Sequence, residues 1–370
     1  MRRLLLATFI VALAMGISGL TLVFYAKDLH ATYTEIGLLG VTYVIFNITL
    51  SVPAGRFADR YGRKIPLTAA MFSIAGVFML YAWHASVLWL LAVRLIQGAT
   101  EAPIWVNGQT AVADLSPPEK RGRAMGAYGT SWAGGFALGP LIAGLLYDTV
   151  GPRHIFILSG LVALVGAVIM CLQHLPRPKI TFEKTSLREI RIPCFMGLIY
   201  IGVLSVVFTL FPAYAGPEGT LGISSQHIGA LMTLIPMIRA LLFVPMGGLV
   251  DRFGVRPVIL GGFLGITAAS ALIGMVTEYL LFVLAFAALA VAEGATYPAS
   301  ISMVSEAGGG RNRGYMIGIF NAASMAGWGI FPGIGGAATD ILSNPTVPYF
   351  ICAMVAAAAL IILWKVLPKR

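Results

Sequence analysis

Charge is scarce in this chain. Asp, Glu, Lys and Arg make up 11% of its 370 residues, 58% are hydrophobic, and the mean hydropathy is +0.87. So little polar surface cannot coat a soluble globule of this length, which places the chain in a bilayer as an integral membrane protein. Cysteine is nearly absent too. Cys171, Cys194 and Cys352 lie in or beside apolar runs without CxxC or ligand spacing, excluding a disulfide framework and a zinc site. There is no nucleotide-binding loop and no nucleophile and base arrangement, so an enzyme is excluded, no cofactor or metal is expected, and any work must draw on a gradient. Acids are few, 15 against 25 Lys and Arg, for a net charge of +10. That balance would point to nucleic acid in a soluble protein, but here the charges gather on one side of a membrane, and no nucleic-acid partner is expected.

What the chain does have is long apolar runs. Twelve approach the roughly 20 residues that cross a bilayer. Six are Leu4–Ala26, Ile36–Phe57, Ile65–Trp83, Val87–Ala113, Gly122–Tyr147 and Pro152–Leu172. The other six are Pro193–Tyr214, Gln226–Val250, Pro257–Val276, Tyr279–Val304, Gly314–Thr339 and Pro348–Val366. With the amino terminus inside, every Lys and Arg except Lys27, Arg153, Arg94 and Arg239 falls on the cytoplasmic side. Both termini are therefore expected in the cytoplasm and the protein in the plasma membrane. The first run is too long for a signal peptide and lacks a small-residue cleavage site. A polar, basic stretch over 176–192 reads as a cytoplasmic linker between residues 1–175 and 193–370, with no further soluble domain.

Those two parts are copies. PAGRFADRYGRKIPL, from Pro53 to Leu67, reads as a charged turn at the membrane surface, with Gly55 and Gly62 freeing the backbone and Asp59, Arg60, Arg63 and Lys64 supplying both signs of charge. It returns 192 residues later as PMGGLVDRFGVRP, with Gly247, Asp251, Arg252 and Gly254 in register and Val255 in place of Arg63. The same offset pairs Gly37 with Gly229, Glu101 with Glu293, Asp114 with Glu306, Pro140 with Pro332, Gly144 with Gly336 and Asp148 with Asp340.

Two copies of six spans, this motif and its echo, and a cytoplasmic linker resemble the major facilitator superfamily of secondary transporters across nearly the whole chain. The resemblance implies an all-α membrane fold of twelve transmembrane helices in two pseudo-symmetric six-helix bundles. It also implies a cavity lined mainly by the first, fourth, seventh and tenth helices that opens alternately to each side, in a chain working as a monomer. Asp59 would then latch the cytoplasmic side against the amino end of the eleventh helix near Arg311–Gly314, and Asp251 would act likewise near Lys120–Gly122. In the fifth span, Gly126, Gly135, Gly139, Pro140 and Gly144 resemble the signature of drug and proton antiporters, a helix that packs against the opposite bundle. Small residues four apart also serve close packing in general. Arg94 with Gln97-Gly98 partly resembles the fourth-helix arginine signature.

Ionised groups inside a membrane need a partner or a wet cavity. Arg94 and Glu101 are seven residues apart, on one helix face with Gln97 and Trp105. Glu101 and Glu293 are the candidate proton carriers, answering to an approaching arginine or cationic substrate. The competing reading is structural: Glu293 paired with Arg239, and a relay from Arg94 to Glu101 through Gln97. Tyr25, Gln97, Trp105, Trp132, Tyr297, Asn321 and Trp328 are candidate contacts for a small-molecule substrate. The expected activity is export of amphipathic or drug-like compounds against protons, or against sodium in their place. The alternative is a symporter or uniporter importing a metabolite such as an organic anion or sugar.

Overall fold

The structure is a computed structural model describing residues 1–116, 121–175, 190–307 and 313–367, so linker residues 176–189 lie outside it. No described residue is in a strand, and twelve long α-helices account for most of the chain. They are α1 (Arg2–Asp28), α2 (Tyr33–Tyr61), α3 (Lys64–Tyr81), α4 (Val87–Asp114), α5 (Arg121–Val150), α6 (Pro152–Cys171), α7 (Arg191–Ala215), α8 (Ser225–Phe253), α9 (Val255–Met275), α10 (Tyr279–Ala307), α11 (Arg313–Leu342) and α12 (Val347–Val366). A bilayer imposes this uniformity, because a helix satisfies its own backbone where no water is present. Ten of the twelve are apolar enough along their described residues to cross a membrane; α8, interrupted by Arg239, and α11, rich in Gly with Asn321, are the other two.

The bend expected over Pro53–Leu67 is far shorter in the structure. Helix α2 runs through Pro53 and Gly55 to Tyr61, and α3 starts at Lys64. Its copy behaves alike: α8 carries Gly247 and ends at Phe253, and α9 starts at Val255. The reversal rests on Gly62 (φ 92°, ψ 154°) and Gly254 (φ 81°, ψ 164°). That backbone region is accessible essentially to glycine alone. Gly55 and Gly247 are therefore helical residues, not hinge residues.

Packing repeats with the duplication. In the first bundle α1 lies on α5 and α6, α2 on α4, and α3 on α4 and α6. In the second α7 lies on α11, α8 on α10, and α9 on α10 and α12. The bundles meet chiefly through α2 against α11 and α5 against α8, with α1 and α7 enclosed between them. Apolar side chains such as Leu88, Leu241, Met275 and Leu280 stand exposed on the outer helices, the surface that hydrocarbon covers. The chain is a multi-pass membrane protein with twelve helices in two pseudo-symmetric six-helix bundles.

Candidate functional site

In the first bundle the polar side chains of α4 form one chain of hydrogen bonds. Arg94 donates through Nε to the Leu39 carbonyl (3.1 Å) and through Nη1 to Gln97 Oε1 (2.8 Å); Gln97 Nε2 donates to Glu101 Oε1 (2.7 Å). Neighbouring helices complete it. Tyr81 of α3 donates to Gln97 (2.6 Å), Tyr43 of α2 donates to Glu101 Oε2 (2.7 Å), and Trp105 Nε1 reaches the same oxygen at 3.4 Å. The Arg94 guanidinium also sits over the Tyr43 ring, 4.6 Å from its centroid. Glu101 is thus buried with both oxygens engaged, and its charge is spread over donors before it meets Arg94. Tyr81 was not legible in the sequence as part of this group.

The 192-residue copy is sparser. Arg239 of α8 stands where Asn47 stands in α2, and Glu293 of α10 where Glu101 stands in α4. Arg239 Nη1 lies 3.4 Å from Glu293 Oε2. Glu293 is fully buried, and its oxygens accept no hydrogen bond among the described residues. Leu289 replaces Gln97, Ile235 replaces Tyr43 and Phe286 replaces Arg94, so two of the donors to Glu101 become apolar residues, while Tyr297 stands in the place of Trp105. The buried Tyr200 hydroxyl of α7 lies within electrostatic range of both Arg239 and Glu293.

Aromatic rings flank the polar groups within each bundle. Trp105 packs edge-on to Trp132 (5.0 Å between centroids), and Trp132 lies 4.7 Å from Phe136 on α5. Tyr297, half-buried on α10, sits one turn beyond Glu293 as Trp105 does beyond Glu101. Trp328 packs on Phe208, 6.2 Å away. Asn321 is half-buried on α11. Tyr25 stands apart: its ring packs against Phe156 of α6 in its own bundle (5.9 Å).

At one end of the molecule the bundles are sealed by two matching contacts. Asp340, at the end of α11, accepts from the backbone N–H groups of Tyr33 (3.1 Å) and Thr34 (2.7 Å) at the start of α2. Asp148, at the end of α5, accepts from the Ser225 hydroxyl at the start of α8 (2.8 Å). A carboxylate at a helix amino terminus is favoured by the exposed N–H groups and the dipole. Glycines bring the backbones together just inside. A Cβ on Gly37 would lie 2.2 Å from the Pro332 carbonyl oxygen and one on Gly336 2.1 Å from that of Tyr33. Their mates Gly229 and Gly144 would meet the carbonyls of Pro140 at 2.5 Å and Ser225 at 2.4 Å. The antiporter-like glycines divide accordingly. Gly144 and the Pro140 carbonyl face the opposite bundle, whereas Gly135, Gly139 and the Pro140 ring lie against α1 of their own bundle at Phe9 and Gly16, and a Cβ on Gly126 would meet nothing within 4 Å among the described residues. Spacing of four sets a common face but not the partner of that face.

The opposite end carries the two glycine turns. Arg63 Nε donates to Asp114 of α4, tying the α2–α3 turn to its own bundle. Arg60 lies over the Tyr61 ring and Arg252 over the Phe253 ring, each 5.3 Å from the centroid, and Lys64 opens α3. The side chains of Asp59 and Asp251, and residues 117–120 and 308–312, lie outside the described set, so the latch expected there does too.

A family model described as Major Facilitator Superfamily matches residues 4–219 and 194–370. Multidrug resistance protein 2 of Bacillus subtilis is 24% identical over 383 residues, covering 96% of this chain and 93% of its own. An uncharacterized MFS-type transporter of Methanocaldococcus jannaschii is 24% identical over 349 residues, covering 91% and 90%. Among solved structures, the nucleoside transporter NupG superposes with a TM-score of 0.83 at 13% identity, covering 99% of both chains.

Proposed function

This chain belongs to the major facilitator superfamily, and from that premise we propose that it exports amphipathic, drug-like molecules across the plasma membrane in exchange for protons. It is a membrane transporter and not an enzyme. The glycine-turn end, with the amino terminus and most Lys and Arg, is assigned to the cytoplasm, so the carboxylate end faces outside and is closed in this structure.

The observation that carries the reading is the Arg239–Glu293 pair: a fully buried carboxylate whose one described partner is a guanidinium at 3.4 Å. Removing one partner of a buried ion pair costs about 3–5 kcal/mol, because the other charge is stranded. Binding a proton at Glu293 relieves that cost when Arg239 turns elsewhere. Coupling follows when substrate entry and bundle motion separate the pair in one state and restore it in the other. Glu101 is held differently. Its oxygens are satisfied within one bundle, so we assign it a structural and positioning role. Arg94 is likewise occupied by Leu39, Gln97 and Tyr43, which argues against its use as the contact for an anionic substrate.

The relatives support the direction, since several are named multidrug resistance proteins. The test is transport by the purified chain in proteoliposomes under an imposed pH gradient, against cationic, neutral and anionic amphipathic compounds. Proton-dependent movement of the cationic or neutral members is expected. Movement of anions alone, or flux indifferent to the gradient, overturns the reading.

A further inference from the structure

Tyr200 is fully buried in α7, and its hydroxyl oxygen has no hydrogen-bond partner among the described residues. Burying a hydroxyl unpaired is unfavourable, so its presence calls for a partner supplied in another state of the molecule. Glu293 shows the complementary deficit. Both of its oxygens are buried and accept no hydrogen bond among the described residues, with Arg239 standing 3.4 Å away. A donor without an acceptor and an acceptor without a donor thus occupy the same bundle, within electrostatic range of each other.

Helix register puts the two at one depth. Successive spans alternate in direction, so α7 and α10 run antiparallel. Phe211 of α7 packs on Phe282 and Phe286 of α10, with 4.9 and 4.8 Å between centroids. Tyr200 precedes Phe211 by eleven residues, three turns, and so shares its face. Eleven residues beyond Phe282 and Phe286 stand Glu293 and Tyr297. The other side of α7 is committed to α11, since a Cβ on Gly197 would fall 2.4 Å from Ser324 Oγ and one on Gly202 2.5 Å from the Phe331 ring. In the first bundle the tyrosine that donates to Glu101 is Tyr43, but Ile235 matches Tyr43 and Thr8 matches Tyr200, so this hydroxyl is not a by-product of the duplication. The other ionisable groups around Glu293 are Arg239 of α8 and Tyr297 of its own helix, with Tyr128 of α5 in range of Tyr297 from the opposite bundle. The remaining ones of α7 to α11 stand near the helix ends. We propose that Tyr200 is the hydrogen-bond donor that Glu293 takes when Arg239 turns away, a positioning residue that keeps the lone carboxylate able to release its proton. This rests on the reading of Glu293 as the proton carrier. A donated hydrogen bond favours the ionised carboxylate, and its loss favours the protonated one.

The test is proton release when tetraphenylphosphonium binds the full purified chain in lightly buffered detergent, followed with an indicator over a range of pH. In Tyr200→Phe, which removes only the unpaired oxygen, the pH above which release falls to half should rise by about one unit. Fluorotyrosine at position 200, a stronger donor, should lower it. Tyr349→Phe deletes another fully buried, unpaired hydroxyl, on α12, and should leave it in place. A midpoint unmoved in Tyr200→Phe, moved upward by fluorotyrosine, or moved equally in Tyr349→Phe overturns the proposal while the carrier reading stands. Release that persists in Glu293→Gln overturns the carrier reading itself, and this proposal with it.

Discussion

The sealed end offers the sharpest perturbation. Alanine at Gly336 would set its Cβ 2.1 Å from the Tyr33 carbonyl oxygen, and alanine at Gly144 would set its Cβ 2.4 Å from that of Ser225. Both obstacles are backbone, so no side chain can swing aside, and the opposing helix must retreat by roughly 1 Å to reach van der Waals distance. Overpacking of this kind costs about 1–3 kcal/mol per site. Because the strain exists only while the bundles touch there, it acts on the closed state alone and shifts the population about 5–150-fold toward the state open at that end. The two contacts involve separate helix pairs, so their costs should add, to about 2–6 kcal/mol. A population inverted from 1:99 to 99:1 needs about 5.5 kcal/mol, so the double variant should come near inversion and each single one should broaden the distribution. Spin labels at Thr149→Cys and Ser343→Cys, both exposed at that end on different bundles, report the separation by pulsed EPR in a cysteine-free background. Gly19→Ala is the control, since a Cβ there meets nothing within 4 Å. Longer distances for the variants and none for the control are expected. Distances unchanged in folded Gly144→Ala/Gly336→Ala protein would refute the reasoning.

Other outcomes follow from the same geometry. Asp340→Asn keeps the shape but removes the anion at the α2 amino terminus, and should favour opening of the same end by about 0.3–1 kcal/mol, read as the same EPR shift on a smaller scale. Arg63→Gln breaks the hydrogen bond to Asp114 and should lower the midpoint of thermal unfolding by an amount matching about 1.5–3 kcal/mol; a midpoint equal to the parent's would count against the clamp. Gly254→Ala forces a Cβ onto a backbone at φ 81° and should cost about 1–3 kcal/mol, whereas Gly261→Ala, whose Cβ would meet nothing within 4 Å, should leave the unfolding midpoint in place.

The residues themselves show how much of this could be read in advance. Both glycine turns were visible because their backbone requirement is local, and the offset of 192 exposed the duplication without any knowledge of contacts. The length of the turns was not visible, since Pro53 and Gly55 signal a bend in water but are tolerated inside a membrane helix. Arg239 with Glu293, and the relay through Gln97, were foreseeable from the rarity of buried charge. Tyr81 was hidden, because an aromatic in an apolar run looks like packing until its hydroxyl is placed. Asp148 and Asp340 were paired by the repeat, yet their role waited on the fold: Tyr33 is 307 residues from Asp340. Gly135 and Gly139 shared a pattern with Gly144 but not its direction, and sequence spacing carries no information on which bundle a face will meet.

The most direct measurement is proton coupling by the two acids compared side by side. In proteoliposomes loaded with a pH indicator, a cationic amphipathic probe such as tetraphenylphosphonium should drive counter-movement of protons through the parent chain and through Glu101→Gln. Glu293→Gln should bind the probe but move no protons against it. Undiminished proton exchange by Glu293→Gln, or its loss only in Glu101→Gln, would contradict the account.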